Sequence, residues 1–306
     1  MAKKIAIIIL NWNQPKLTID TVDSILKIKP KSFSYHIYLV DNASEDNSIS
    51  LFKKKYQNCK NITILETAVN LGYVGGNNFA LKKALKLKFD DYLIANNDLI
   101  VDPQFLQNLY QASLKYPSSI LAPKIYFAPG HEYHQNRYSK KEIGKVIWAV
   151  GGKIDWDNIY GSNIGIDEVD HGQYDHSNPQ MDFISGCCLL VPHKVFKKIG
   201  LFDKKFFLYL EDSDFSQRAL KAGFDLRLVP DSVIWHINSG SSKPSSSIQE
   251  YFITRNRLIF GFRYANFKTK FALFRESIKF LLSGSKWRRL AVKDFYFNNL
   301  GKGSWV

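Results

Sequence analysis

Three acidic residues follow one another closely at the end of a short apolar run in the last third of the chain. The run is Phe206–Leu210, and the acids are Glu211, Asp212 and Asp214. Because an apolar run of this kind normally forms a buried strand, the acids are predicted to lie at the mouth of a cleft. Burial and mutual repulsion of carboxylates suit a catalytic base.

The same acids also fit the start of a helix. Asp212 or Asp214 can cap a helix that runs to about Leu220, and Asp214 can pair with Arg218 one turn later. Acidic side chains are common at helix N-termini because they interact favourably with the helix dipole. Taken alone, the pattern therefore leaves a catalytic base and a helix cap equally open.

The elements that must position these acids begin with a regular alternation over residues 1–125. A buried strand at Ile5–Leu10 and a helix from about Lys16 to Ile28 are followed by further strand and helix patterns through residue 122. Such alternation predicts an α/β fold with a parallel sheet and helices on both faces. In these sheets ligands bind at the carboxyl ends of the strands.

Polar residues follow the predicted strands at that edge. They are Asn11 and Asn13 after the first strand, Asp41 and Asn42 after the second, and Asn96, Asn97 and Asp98 after the fourth. One polar strand end is ordinary turn chemistry. Three at the same edge of a sheet predict a binding site.

The later part of the chain is less regular. Residues 127–180 are rich in glycine and histidine, which is typical of functional loops, but the histidine spacing fits no closed set of metal ligands. Residues 238–247 are Ser-rich and are expected to form a flexible loop, a candidate lid, before a helix near Ile248. The adjacent Cys187 and Cys188 are expected to be small buried strand residues.

Length and composition describe a folded protein of the soluble type. The 306 residues, 45% of them hydrophobic, suffice for one large domain or two small ones with a substantial core. No stretch reaches the roughly 18 apolar residues that span a bilayer, and the N-terminal apolar run is too short for a signal peptide. Three cysteines without disulfide spacing indicate a reducing, cytoplasmic setting.

The net charge of +14 predicts a polyanionic partner. Residues 261–306 contain ten Lys or Arg against two acids, a net +8, so much of the excess lies at the C-terminus. Apolar residues recur there at helical spacing from Phe267 to Leu282, as in an amphipathic helix that lies on an anionic membrane. The alternative is that this apolar stripe packs on the protein's own core. Nucleic acid is not expected as a partner, because the sequence contains no recognisable nucleic-acid-binding module.

Taken together, the motifs resemble family 2 glycosyltransferases of the GT-A fold, in particular the rhamnosyltransferase-like branch. The resemblance covers roughly residues 4–264 and includes the glycine-rich segment 70–78 and the pair Trp235-His236. It implies one GT-A domain with a mostly parallel, Rossmann-like sheet flanked by helices, plus a C-terminal amphipathic helical extension. Residues 1–125 would form the nucleotide-sugar-binding half, 126–247 the acceptor and catalytic half, and 248–306 a basic helical segment that is a candidate for membrane association.

The donor of such an enzyme is a sugar on a nucleoside diphosphate. Asp41 can accept the N3–H of uracil or thymine, a role that the resemblance also implies, or it can form an Asx-turn before the next helix. Gly72, Gly75 and Gly76 permit close backbone approach to the nucleotide, and Asn77 is predicted to begin a helix that faces it. The donor-binding candidates are Asn11, Asn13, Asp41, Asn42, Gly75, Gly76, Asn77, Asn97, Asp98 and Arg255.

The resemblance also implies a divalent metal, Mn²⁺ or Mg²⁺. Asn96-Asn97-Asp98 stands where the family has its Asp-x-Asp metal motif, so this sequence departs from the family and keeps only one carboxylate. Magnesium often binds one or two carboxylates together with substrate phosphates, so Asp98 can still serve. The resemblance places a second ligand at His236, and a nitrogen ligand favours Mn²⁺.

The acidic motif divides by role under the same resemblance. Asp212 is implied to be the base that deprotonates the acceptor hydroxyl in a single inverting displacement, with Glu211 orienting the acceptor or tuning Asp212. Arg255 matches an Arg-Asn pair of the branch and is expected either to reach a phosphate or to lie on a helix surface. The residues expected to shape the acceptor side are Gly186, Asp214, Arg218 and Trp235.

The predicted function is inverting, metal-assisted transfer of a sugar to a lipid-linked acceptor or a growing cell-surface polysaccharide. L-rhamnose from dTDP-rhamnose is the first choice, inherited from the branch, and UDP-linked galactose, glucose, GlcNAc or galactofuranose remain open. A non-catalytic nucleotide-sugar-binding subunit is the alternative, because the metal motif lacks a carboxylate. The protein is expected to lie peripherally on the inner face of the plasma membrane.

Overall fold

The computed structural model describes residues 2–134, 136–176, 178–237 and 246–305, so most of the candidate lid lies outside the described residues. The strands are β1 Lys3–Asn11, β2 Phe33–Asp41, β3 Ile62–Glu66, β4 Asp91–Ala95, β5 Leu99–Val101, β6 Ser119–Phe127, β7 Ile147–Ala149, β8 Gly152–Asp155, β9 Tyr160–Asn163, β10 Cys188–Pro192 and β11 Asp225–His236. The helices are α1 Pro15–Leu26, α2 Ser48–Tyr56, α3 Gly72–Lys86, α4 Phe105–Lys115, α5 His193–Ile199, α6 Glu211–Lys221, α7 Ser247–Tyr264, α8 Phe267–Ser283 and α9 Lys286–Tyr296.

The first half of the chain confirms the predicted alternation of strands and helices. β1 lies between β2 and β4 and runs parallel to both, and β3 extends the sheet beyond β2. Residues 5–9 of β1 are fully buried. A parallel strand covered by helices on both faces needs apolar side chains on both, which is why β1 reads as a continuous apolar run.

The second half of the chain extends the same sheet. β10 runs antiparallel between β4 and β6, β11 runs parallel to β6, and β5 and β7 pair antiparallel with β11 and β6. Within the described ranges these strands form one nine-stranded, mostly parallel sheet, beside a small sheet of β8 and β9. The predicted single α/β domain is therefore confirmed. Cys187 and Cys188 are buried, as expected for small residues at the start of a core strand.

The apolar run Phe206–Leu210 forms an irregular segment, so the prediction of a strand there is wrong. Phe206 makes one bridge to Gly301 of the C-terminal tail, and Tyr209 and Leu210 both have left-handed backbones, with φ of 72° and 65°. Each such residue costs on the order of 1–2 kcal/mol. The turn therefore requires contacts from elsewhere in the fold to hold it.

The glycine-rich segment also differs from the prediction, because α3 begins at Gly72 and not at Asn77. Gly72 has a φ of +68°, and a Cβ atom on it would lie 2.6 Å from the ring of Phe207. On Gly76 a Cβ atom would lie 2.4 Å from Leu10 of β1. These two glycines allow α3 to pack closely on β1 and on the segment before the acidic motif.

The C-terminal helices α7, α8 and α9 pack on one another and on the main sheet domain. α8 turns Thr269, Leu273 and Ser277 inward. Its opposite face carries exposed apolar side chains, and Phe267 and Leu282 are 84% and 79% exposed. Most of the predicted apolar stripe thus faces outward, and the alternative of packing on the core is wrong for it. Across the described ranges, none of the helices combines the length and the apolarity needed to span a bilayer.

Candidate active site

One hydrogen-bond network joins polar residues at the carboxyl ends of β1, β2 and β4. Nδ2 of Asn11 donates to Oδ1 of Asp41 at 2.8 Å, and Oδ1 of Asn11 accepts from the hydroxyl of Thr18 at 2.7 Å. That hydroxyl also accepts from Nδ2 of Asn97 at 2.8 Å. The predicted convergence of the strand ends is confirmed. Thr18, on the first turns of α1, was not among the candidates predicted from the sequence. A hydroxyl residue just beyond a strand end could have indicated it.

Asp41 is engaged in a turn and in this network at once. Its Oδ2 accepts from the backbone N–H of Ser44 at 3.0 Å, and its Oδ1 accepts from the hydroxyl of the same residue at 2.7 Å. The alternative of a local turn contact is therefore present in the structure. The carboxylate is only 4% exposed, and the remaining acceptor capacity of Oδ2 is what it can offer to a nucleotide base.

Two further donor-binding candidates use their amides within the protein. Nδ2 of Asn42 donates to Oδ1 of Asn70, and Oδ1 of Asn42 accepts from the N–H of Leu71, both at 3.0 Å. Oδ1 of Asn13 accepts from the N–H of Glu45 at 2.8 Å. These contacts fix the loops that follow β1, β2 and β3, which border the network.

Three other candidates lie in the first turns of α3. They are Gly75, Gly76 and Asn77. Asn77 is fully buried, and its Nδ2 donates to the carbonyl of Tyr73 at 2.9 Å. This part of the glycine-rich segment thus packs within the protein, whereas its loop residues 70 and 71 are held by Asn42.

The two metal-ligand candidates meet in the structure. Nε2 of His236 lies 3.2 Å from Oδ1 of Asp98. The antiparallel pairing of β5 with β11 sets Leu99 opposite His236 and so brings Asp98 beside it. Trp148, which was missed, packs edge-on against His236 at 4.6 Å. Trp235 points to the other face of β11, where its Nε1 donates to a loop carbonyl at 2.8 Å.

This pair can supply part of a divalent metal site. One carboxylate oxygen and one imidazole nitrogen suit Mn²⁺. Nδ1 of His236 is buried and has no hydrogen-bond partner among the described residues. The described ranges contain no group of three or more His, Cys, Asp or Glu side chains that could hold a metal. Asp98 and His236 would therefore hold a cation only if a bound diphosphate and water supplied the remaining ligands.

Asp212 is held by backbone groups in the first turn of α6. Its Oδ2 accepts from the N–H of Gly186 at 2.9 Å, and its Oδ1 accepts from the N–H of Ser213 at 2.6 Å. The hydroxyl of Tyr73 donates to the carbonyl of Gly186 at 2.5 Å. A Cβ atom on Gly186 would lie 3.0 Å from that hydroxyl, so glycine permits the close approach. Tyr73 is a further residue that the sequence did not single out.

A short segment connects Asp212 to the metal pair. Gly186 contacts Asp212, and the carbonyl of the next residue, Cys187, accepts from the N–H of Asn96 at 2.9 Å. Burial, and after it the nearby charges of Asp98 and Asp212, raise the pKa of the Cys187 thiol well above its usual value. The Gly186-Cys187 segment thus lies between Asp212 and the strand end that precedes Asp98.

Glu211 and Asp212 differ in their surroundings. Burial, followed by the charge of Asp212, raises the pKa of Glu211 to about 8. Burial also raises the pKa of Asp212, although the N–H groups of Gly186 and Ser213 oppose the shift. Oε2 of Glu211 has no hydrogen-bond partner among the described residues. Glu211 is therefore the more readily protonated of the two carboxyl groups, and Asp212 is the more readily ionised.

Asp214 stabilises the fold, as the helix interpretation predicts. It is fully buried and accepts from Nε of Arg218 at 2.8 Å and from the hydroxyl of Tyr264 at 2.8 Å. It also accepts from the guanidinium of Arg263. These contacts tie α6 to the end of α7 and keep Asp214 away from any acceptor.

Arg255 does not lie on the helix surface, which is one of the two places predicted for it. It is fully buried, and its guanidinium donates to Oδ1 of Asn256 and to the hydroxyl of Tyr251. The guanidinium therefore lies away from the surface, and its Nη2 also donates to the carbonyl of Lys205 at 3.4 Å. Arg255 packs over the ring of Phe252 in α7 and against the backbone of Gly303 in the C-terminal tail, contacts that its motif does not reveal.

Comparison with known proteins agrees with this geometry. The profile of a family described as "Glycosyltransferase like family 2" matches residues 2–261. An N-acetylglucosaminyl-diphospho-decaprenol L-rhamnosyltransferase from Mycobacterium tuberculosis is 27% identical over 219 residues, which are 67% of this chain and 67% of that protein. A low-salt glycan biosynthesis hexosyltransferase from Haloferax volcanii is 24% identical over 216 residues, 70% of this chain and 64% of that protein.

The fold has solved counterparts. The crystal structure of GalNAc-T7 with UDP, GalNAc and Mn²⁺ superposes with a TM-score of 0.64 at 15% identity, over 97% of this chain and 58% of that one. The chain belongs to glycosyltransferase-like family 2 and is a glycosyltransferase of the GT-A fold. It spans about two thirds of the length of the two curated relatives.

The raised pKa of Glu211 predicts a pH-dependent stability. A carboxyl group whose pKa is higher in the folded state stabilises the fold at low pH, and this contribution is lost as the pH rises through the folded-state value of about 8. The Tm of the wild type is expected to fall more steeply between about pH 5 and pH 8 than that of Glu211→Gln. Thermal unfolding across this range measures the difference. Glu45→Gln, at an exposed position, is the control and should follow the wild type; parallel curves for all three proteins would contradict the assignment.

The two-residue metal pair predicts weak binding of Mn²⁺ in the absence of nucleotide. Titration calorimetry should show tighter Mn²⁺ binding once UDP or dTDP is present, because the diphosphate adds oxygen ligands. His236→Ala should remove most of this gain, by at least about tenfold in affinity. His171→Ala, at an exposed position, should leave it intact. Tight Mn²⁺ binding to the nucleotide-free protein would argue against the pair as the site.

Proposed function

We propose that this glycosyltransferase transfers a sugar from a nucleoside diphosphate to a lipid-linked or cell-surface glycan acceptor with inversion at the anomeric carbon. The observation that supports it most is the Gly186-Cys187 segment, which contacts Asp212 on one side and the strand end before Asp98 on the other. A base and a diphosphate-binding end of the sheet must lie this close for an acceptor to meet a donor.

In the proposed reaction, Asp212 takes the proton of the acceptor hydroxyl at a carboxylate oxygen. The acceptor oxygen then bonds to the anomeric carbon while the bond from that carbon to the diphosphate breaks, and the nucleoside diphosphate leaves with the electron pair. A divalent cation held by Asp98 and His236 would offset the negative charge on the diphosphate. The N–H of Gly186 keeps Asp212 oriented, and protonated Glu211 can donate a hydrogen bond to the acceptor.

For the donor we propose dTDP-rhamnose as the first choice. The name of the relative from Mycobacterium tuberculosis, an L-rhamnosyltransferase, supports this choice, and the network around Asp41 offers a carboxylate to a uracil or thymine ring. UDP-linked galactose, glucose, GlcNAc and galactofuranose are the competing donors. In this proposal residues 1–125 bind the donor and residues 126–247 supply the acceptor side.

We further propose that the outer face of α8 and α9, here called the apolar face, lies on the cytoplasmic surface of an anionic membrane. The exposed apolar side chains of α8 are Phe267, Phe271, Phe274, Ile278 and Leu282, and Tyr296 and Phe297 at the end of α9 are exposed as well. Each large apolar side chain that leaves water contributes about 1.5–3 kcal/mol, and each Lys or Arg near anionic lipid about 1 kcal/mol. With a net +8 over residues 261–306, these terms favour binding to anionic lipid. A lipid-linked acceptor, as named for the relative from Mycobacterium tuberculosis, would be found at the same surface.

The assignment of Asp212 and of the donor is tested with Asp212→Asn. Transfer should fall by about 10²–10⁴-fold, since a general base contributes this much, while donor binding remains. Thermal shift with Mn²⁺ and a panel of nucleotide sugars measures donor binding, because a ligand of the native state raises Tm by mass action. Asp225→Asn, at an exposed position, is the control and should transfer normally. Retained turnover in Asp212→Asn would refute the base, and a shift with UDP-sugars alone would replace dTDP-rhamnose.

The apolar face is tested by flotation with liposomes. The wild type should float with vesicles that contain phosphatidylglycerol and should not float with vesicles of pure phosphatidylcholine. High salt should weaken flotation with phosphatidylglycerol, because it screens the attraction between basic residues and anionic lipid. The double variant Phe271→Glu/Leu282→Glu should lose flotation, because it places charge where apolar side chains insert. Leu114→Glu, at an exposed apolar position of α4, is the matched control and should float. Equal flotation of the double variant would rule out this face.

A further inference from the structure

The acidic motif follows a turn whose backbone conformation is unfavourable for the residues that form it. Tyr209 and Leu210 have left-handed backbones, and α6 begins at the next residue, Glu211. Asp212 therefore takes its position from this turn, since the direction of a helix is set where the chain enters it. Nδ2 of Asn256, from the middle of α7, donates to the carbonyls of Leu208 at 2.8 Å and of Tyr209 at 2.9 Å. Both hydrogens of that amide are thus used on the turn.

The orientation of the Asn256 amide is fixed by its neighbour. Nε and Nη2 of Arg255 both donate to Oδ1 of Asn256, each at 3.1 Å. A guanidinium has donors only, so the oxygen end of the amide must face it and the NH₂ end must face the turn. Arg255 and Asn256 are both fully buried, which excludes water as a substitute partner.

Other contacts hold the segment on either side of the turn. The N–H of Gly301 in the C-terminal tail donates to the carbonyl of Lys205 at 3.0 Å, and the N–H of Val74 in α3 donates to the carbonyl of Phe207 at 3.3 Å. Beyond the turn, Asp214 is bound by the end of α7 as described above. The two carbonyls at the turn itself are the ones that Asn256 binds.

We propose that Asn256 is a positioning residue for the catalytic motif, and that Arg255 acts through it by orienting its amide. The proposal rests on the proposed role of Asp212 as the base. It assigns a role to a residue that contacts neither donor nor acceptor. It also accounts for the burial of Arg255, whose guanidinium bonds to the Asn256 amide.

Asn256→Asp is the sharpest variant, because it keeps the size of the side chain and the contact with Arg255 but replaces both donors with an acceptor oxygen. The kcat should fall about 10- to 100-fold, as expected for a small misplacement of a catalytic group, and the KM for the donor should stay unchanged. The acid limb of the pH–rate profile should move to lower pH, because an opened turn hydrates Asp212. Arg257→Gln is the control: Arg257 is a buried arginine of the same helix that bonds to Asn158 and Glu276, and its loss should leave kcat and the acid limb unchanged.

Leu210→Gly provides a test of rescue, because glycine adopts the left-handed conformation without steric cost. In a double-mutant cycle, Asn256→Asp should reduce kcat at least about threefold less in the Leu210→Gly background than in the wild type. Equal losses in both backgrounds, or a loss that appears as a higher donor KM, would overturn the proposal. If Asn256→Asp fails to fold, the double variant should fold; failure of both would also overturn it.

Hydrogen exchange separates this proposal from the proposed function. Backbone amides of residues 206–214 should exchange faster in Asn256→Asp than in the wild type and in Arg257→Gln, whether or not the protein transfers a sugar. Unchanged exchange would refute positioning of the turn. Absence of transfer by the wild type, or full activity of Asp212→Asn, would refute the proposed function and leave the result on the turn standing.

Discussion

The parallel pairing of β1 with β2 and β4 is the constraint on which the site depends. The register sets Asn11 opposite Asp41, and parallel strands that begin together end at the same edge of the sheet. A hydroxyl from α1 then closes the network from Asp41 to Asn97. A slip of β1 by one residue would turn each of its side chains to the opposite face of the sheet and would separate these polar groups. Because burial of the isoleucines in β1 opposes such a slip, it also keeps the polar residues at the strand ends together.

The catalytic side of the site depends on contacts from three parts of the chain. Gly186 bonds to Asp212, α3 packs on Phe207, and Asn256 of α7 bonds to the turn that leads into α6. This surrounding structure buries Glu211 and leaves Asp212 partly exposed. Burial raises the pKa of both, so the same contacts that place Asp212 also set its basicity and that of Glu211.

The C-terminal helices contribute two different surfaces. Their inner side holds the acidic motif through Asn256 and through the ion pair of Asp214 with Arg263. Their outer side is the apolar face, within a C-terminal range of net charge +8. In the proposed function one helical unit therefore links the membrane surface, where a lipid-linked acceptor would lie, to the turn that presents the base.

The sequence alone determined the features whose signals are local. The alternation of strands and helices, the helix that starts at the acids, the polar strand ends and the amphipathic spacing of α8 follow from periodicity and from neighbours within a few residues. Only the tertiary structure decided that Phe206–Leu210 is irregular and ends in two left-handed residues, that Arg255 is buried and that Trp148 packs on His236. Each of these depends on distant partners, such as α3, the C-terminal tail and β7. Hydrophobicity predicts that a residue is buried, and the partner that buries it determines its conformation and its role.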